Sequence, residues 1–160
     1  MLQLFIYGII SLLILLVLLR LTPIWDNILS APAASKTDFS TLKAPNKPNW
    51  FLLCDTEVCQ NTKPNGQPPI FELSATDLKG RFEKFILENS NAKVRLDESD
   101  QIEILDRTSL VRWPDIISVK FVGLEGGKSI LYIYSRSIYG HSDLGANQAR
   151  VTKWLQAISE

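Results

Sequence analysis

Between Met1 and Arg20 the chain carries no charged side chain; residues 2–19 read LQLFIYGIISLLILLVLL. A helix over that run rises about 1.5 Å per residue and reaches roughly 27 Å, close to the hydrocarbon thickness of a bilayer. Leu, Ile and Val crowd every face, so no side is polar enough to turn toward water. The run predicts a single-pass transmembrane anchor over residues 1–20. A cleaved signal peptide is the rival reading, because Ala31-Pro32-Ala33-Ala34 resembles a small-residue cleavage site. That site lies more than ten residues beyond the apolar run, and no Lys or Arg precedes the run. The run is also longer than a signal peptide needs, which favours the uncleaved anchor.

Orientation rests on two opposed signals. Arg20 alone would draw the carboxyl side toward the cytoplasm, but long domains cross largely regardless of one flanking charge. Cys54 and Cys59 form a close pair suited to an oxidising compartment. The preferred reading is a bacterial inner-membrane protein with its carboxyl-terminal domain in the periplasm.

Composition changes near residue 70. Seven of the eight prolines (Pro23, Pro32, Pro45, Pro48, Pro64, Pro68 and Pro69) precede it. Such a segment sustains neither a helix nor a central strand, so residues 21–69 read as a Pro-rich stalk carrying the cysteine pair. Its one apolar patch, Asn49-Trp50-Phe51-Leu52-Leu53-Cys54, is expected to pack onto the domain that follows.

From residue 70 to 160 the periodicities become regular. Leu78, Phe82, Phe85 and Ile86 follow helical spacing, with Ser74 and Asp77 as a capping-box-like start and an end near Asn89-Ser90-Asn91. Gly80 inside that helix costs about 1 kcal/mol against Ala, so a close approach by another element is expected there. Strands are expected over 92–97, 101–108, 115–123 and 129–138, the last two joined by the hairpin signal Glu125-Gly126-Gly127-Lys128. Ile102 and Ile104 share one face, as do Ile117, Val119 and Phe121. Short connections make this a four-stranded antiparallel meander. Val151, Trp154, Leu155 and Ile158 define a closing helix capped by Ser142 or Asp143. The expected fold is α+β, two-layered, in the order α-β-β-β-β-α.

The stretch Tyr139-Gly140-His141-Ser142-Asp143-Leu144-Gly145-Ala146-Asn147 contains Gly-x-Ser-Asp-Leu-Gly-x-Asn. It resembles the carboxyl-terminal signature of a bacterial and plastid family, domain of unknown function fourteen-ninety-nine, and the likeness runs from about Trp50 to the end. Two arginines of the family pattern fall on Tyr134 and Ile138, with Arg136 between them on the same strand face. A family run of two aspartates, Val, Glu and Phe falls on Pro114-Asp115-Ile116-Ile117-Ser118, which keeps one aspartate. Cys59 matches a family cysteine, with Cys54 in place of a more distant partner. The resemblance implies fold and export and transfers no activity.

Polar residues cluster around that signature. Arg136, His141, Asp143, Asn147, Arg150 and Asp115 are the ligand-binding candidates: a helix start attracts anions, and Arg136 with Arg150 would hold a carboxylate or phosphate. The structural alternative is that Asp143 caps the helix while Asn147 and Arg150 tie its first turn to the last strand. Asp115 opens a strand beside Ile117 and Val119, where Arg112 or Arg136 is the expected ion-pair partner. No catalytic set is assigned. Ser137, His141 and Asp143 make only a weak trio, since no nucleophile elbow is present and His141 is the one histidine. Cys54 and Cys59 with that histidine fall short of a zinc set, so no metal or other cofactor is expected; a disulfide or a free buried pair remains. Zero net charge and the lack of a basic stripe exclude nucleic acid. The reading that results is a membrane-anchored, non-enzymatic module for a protein partner or ligand, with an accessory subunit of an inner-membrane complex as one form of it. A hydrolase-like enzyme centred on His141 and Asp143 is the alternative.

Overall fold

A computed structural model of the chain describes residues 1–89 and 92–159, and of Asn89 only the backbone. Helix α1 (Leu2–Arg20) carries no buried residue, and α2 (Pro23–Ile28) follows it with its proline in the first turn, where a missing N–H costs nothing. Strands β1 (Trp50–Leu53) and β2 (Ile70–Phe71) precede α3 (Ala75–Asn89). Strands β3 (Lys93–Asp97), β4 (Gln101–Arg107), β5 (Pro114–Gly123) and β6 (Ser129–Ser137) lead to α4 (Ala146–Ser159).

The fold is α+β, but its antiparallel sheet has six strands where four were expected. Strands β3 to β6 form the expected meander. Beyond β6, β1 pairs with its later half (Leu53 opposite Ile133) and β2 with its start (Phe71 opposite Ser129). The two additions are four and two residues long, too short to show a period of two. Segment 21–69 therefore contributes an edge of the sheet, and the apolar patch at 50–53 packs by backbone pairing.

Alternation along the strands sorts two cores. Ile102, Ile104, Ile117, Val119, Leu131 and Ile133 face α3 and α4, which supply Leu78, Phe82, Ile86, Val151, Trp154 and Ile158. Phe82 anchors this layer, meeting Phe121 and Trp154 edge-on at 5.8 Å between centroids. The opposite face presents Leu52, Ile130, Tyr132 and Tyr134 to Phe39 and to Cys54 and Cys59, all buried. The cysteine sulfurs lie 1.95 Å apart, at disulfide distance. An irregular chain can cover a sheet in this way only by placing a few apolar side chains and bonding its own amides, as Ala44 N does to Thr62 Oγ1.

Local signals behave as their chemistry demands. Ser74 Oγ accepts from Asp77 N at 3.1 Å and donates to Asp77 Oδ2, closing the start of α3. The helix is described through Asn89; Ser90 and Asn91 lie outside the described residues. Gly126 and Gly127 take φ of 73° and 74° in the turn between β5 and β6, a left-handed conformation that explains the glycine pair. The close approach expected at Gly80 is absent, since a Cβ there would meet nothing within 4 Å.

Candidate functional site

Ser142 and Asp143 end the loop after β6, and Asp143 caps α4. Its Oδ1 accepts from Gly145 N at 3.1 Å and its Oδ2 from Asn147 N at 2.9 Å. Leu144 and Gly145, both at positive φ, turn the chain tightly enough for one carboxylate to reach both amides. Burial opposes ionisation of Asp143, but the donors of Asn147 and Gly145 outweigh it and hold the carboxyl below its ordinary value of 3.8.

The first turn of α4 then points two polar side chains into the apolar layer. Asn147 is fully buried; its Nδ2 donates to Asp143 Oδ2 at 2.7 Å, to Ser137 Oγ at 3.1 Å and to the carbonyl of Asn49 at 3.1 Å. Its Oδ1 accepts from Ser135 Oγ and from Arg150. Arg150, one turn on, spreads its guanidinium across two strands. Nε donates to Asp106 Oδ2 at 2.7 Å, Nη1 to Ser135 Oγ at 3.1 Å, and Nη2 to Asp115 Oδ2 at 2.5 Å. Asp115 is 1% exposed, and Arg150 is the cation it is paired with. The network joins α4 to β4, β5, β6 and to Asn49, the residue before β1, at one end of the sheet.

Four of the six ligand-binding candidates, Asp115, Asp143, Asn147 and Arg150, are thus brought together with Ser137, and two are not. Arg136 follows Ser135 by one residue, so it points to the other sheet face. There its guanidinium lies 5.1 Å from the Tyr134 ring centroid, bordering a cavity of about 380 Å³ with Lys43, Lys47 and Asn49. It cannot share an anion with Arg150 through the sheet. Burial raises the Tyr134 phenol, and the Arg136 charge partly offsets this. His141 is exposed and makes no hydrogen bond or ion pair among the described residues, so nothing links it to Ser137 or Asp143. The expected pairing of Asp115 with Arg112 or Arg136 is replaced by Arg150, because Arg112 turns outward to Asp26.

Asp106, Ser135 and Asn49 belong to the network without having been singled out. Asp106 had a readable signal: it continues the inward face of Ile102 and Ile104 at a spacing of two. Asn49 had none, its role depending on β1 pairing with β6. Two atoms of the cluster stay unpaired among the described residues, the buried Oδ1 of Asp115 and the buried Oδ1 of Asn49. Asp115 also borders a cavity of about 260 Å³ under the Trp113–Tyr139 ring pair.

Chemically the network consumes what it holds. Arg150 donates to Asp106, Asp115, Ser135 and Asn147, and both Asn147 functional atoms and the Ser135 hydroxyl are hydrogen-bonded within the network. No group of three or more His, Cys, Asp or Glu side chains among the described residues is placed to hold a metal. The geometry is that of a brace, in which a buried charge and a buried amide fix one helix end on a sheet.

Comparison with curated proteins and with solved structures gives no match. A family model described as "Protein of unknown function (DUF1499)" matches residues 32–158. The match begins upstream of Trp50, within the segment that covers the second face of the sheet, and ends in α4, so it includes both cores and the Arg150 network. On that span, the chain belongs to the DUF1499 family.

Proposed function

We propose that the chain is a single-pass, membrane-anchored module that works without catalysis, holding a protein partner next to the bilayer. The observation that carries this reading is α1, a 19-residue apolar helix with no buried residue and exposed through Leu18. A helix apolar on all sides has no partner within its own domain and requires lipid or another helix. The disulfide-distance pair supports a periplasmic domain on a bacterial inner membrane, since such bonds persist in oxidising compartments. The closed Arg150 network supports a binding role over a hydrolytic one, because its hydroxyls already serve neighbours and His141 stands apart.

Membership of an inner-membrane complex follows from the same helix and is tested by affinity purification of the full chain from native membranes. One set of proteins should be retained at stoichiometric levels as mild detergent is increased. Recovery of the chain alone at every detergent strength overturns the partner reading.

A further inference from the structure

The chain leaves α1 by way of a short helix whose two sides differ. One side docks on the domain: Trp25 Nε1 donates to the Val111 carbonyl at 2.7 Å, Arg112 grips Asp26 at 2.8 and 2.6 Å, and Leu29 is buried. The other presents Leu21, Ile24 and Ile28, which are 55–70% exposed, with Leu110 at 81% in the loop alongside. Arg20, the last residue of α1, donates through Nε to the Leu110 carbonyl at 2.6 Å and through Nη2 to that of Ser109. The 108–113 loop therefore sits level with the end of the apolar helix, where a spanning helix meets the headgroups.

A cleft of about 840 Å³ opens at this level. Six of its lining residues are basic and two, Asp26 and Asp106, are acidic. Asp26 is spent on Arg112 and approaches Arg107 at 3.7 Å, while Asp106 is spent on Arg150. Among the described residues Arg20 is held only by the carbonyls of Ser109 and Leu110. Lys93 and Lys153 are exposed and form no salt bridge among the described residues, the Lys93 charge acting on Asp26 only at longer range. Excess positive charge, an exposed apolar rim and the end of a membrane helix coincide at one place.

We propose that this cleft binds the phosphate of an anionic lipid headgroup, through Lys93 and Lys153, with α2 and Leu110 seated in the same leaflet. The inference rests on the membrane-anchored reading and gives it a definite pose, in which the domain lies against the bilayer. The occupant is a lipid and not a free phosphate because the apolar rim and the helix end fix the cleft at the membrane surface. Basic side chains there each contribute on the order of 1 kcal/mol against an anionic leaflet, about fivefold in affinity.

The test reconstitutes the full chain in nanodiscs of phosphatidylcholine, with or without about 30% phosphatidylglycerol, and follows backbone hydrogen exchange over residues 105–113. Exchange should slow about tenfold in the anionic discs, and the double substitution Lys93→Glu, Lys153→Glu should erase the difference. Both lysines are exposed, so that variant should fold. Equal exchange in the two lipids, or protection that survives the double substitution, overturns the headgroup site while leaving the anchor intact. Protection by inorganic phosphate in phosphatidylcholine discs assigns the cleft to a free anion and overturns the lipid. A chain that fails to enter the discs overturns the anchor and the headgroup site with it.

Discussion

At the scale of single residues, a guanidinium whose side chain is 10% exposed, set between two carboxylates, is stable only while the three stay together. Removing Arg150 strands Asp115 in an apolar layer, and breaking a buried pair from one side costs about 3–5 kcal/mol. Arg150→Met should show that loss in urea unfolding, and Arg150→Lys should recover little of it, since an ammonium cannot reach Asp106, Asp115, Ser135 and Asn147 together. Asp143 joins this network through Asn147, whose Nδ2 donates to its Oδ2. Asp143→Ala should lose about 0.5–2 kcal/mol, and Asp143→Asn should recover only part of that, because its one amide oxygen replaces two carboxylate oxygens that both accept. The carboxyl is held below 3.8, so its stabilising effect is full above that pH and disappears as pH falls through the lowered folded value. Asp143→Asn should flatten that part of the acid unfolding curve. Half of this chemistry could be read from the sequence, because cap and brace residues lie within one helical turn of each other. Which arginine meets Asp115 could not: the choice depends on the side of the sheet that α4 covers.

Among the elements, the meander and both helices follow from local signals alone: alternation in β4 and β5, the Gly126-Gly127 turn, and the helical spacing of Leu78, Phe82 and Ile86. Strands β1 and β2 escape such a reading because their order comes from β6, whose free edge needs partners for its amides. The cover on the second face is equally non-local, with Phe39 packing on Tyr132 from a segment that has no period of its own. Two measurements probe these parts. The disulfide-distance pair closes a very short loop, so reduction should lower stability by about 2 kcal/mol, read as a shift in urea midpoint with and without reductant. Thiol labelling that is immediate in unreduced protein would contradict the bond. Gly80, by contrast, sits in a helix interior with open space where a Cβ would go. Gly80→Ala should therefore stabilise by about 1 kcal/mol, since it removes backbone freedom from the unfolded chain and fills nothing.

For the molecule as a whole, the contacts that tie the apolar N-terminal helix to the rest of the chain converge on the 107–113 loop. Arg112 holds φ of 62°, an unusual conformation for a long side chain, while its guanidinium forks onto Asp26 and its amide bonds to the Thr108 carbonyl at 2.9 Å. Such strain persists only where surrounding contacts outweigh it. Arg107 adds bonds to the carbonyls of Leu29 and Asp26, so α2 is gripped along its length. The Arg112 hydrogen bonds hold the Asp26 carboxyl below its ordinary value of 3.8, partial burial working against them. A depressed carboxylate makes its contribution above the unfolded value and loses it as pH drops through the folded one. The clamp should thus be closed at neutral pH and loosen below about pH 4, before the apolar cores give way, because neither Leu52 nor Ile117 depends on it. Spin labels at Leu16 and Ser99 on the full chain in nanodiscs would report this as a distance distribution, narrow at pH 7 and broad at low pH. Asp26→Asn should be broad at every pH with far-ultraviolet dichroism unchanged. A narrow distribution in that variant would assign the docking to Arg20 and Trp25 and remove Asp26 from it.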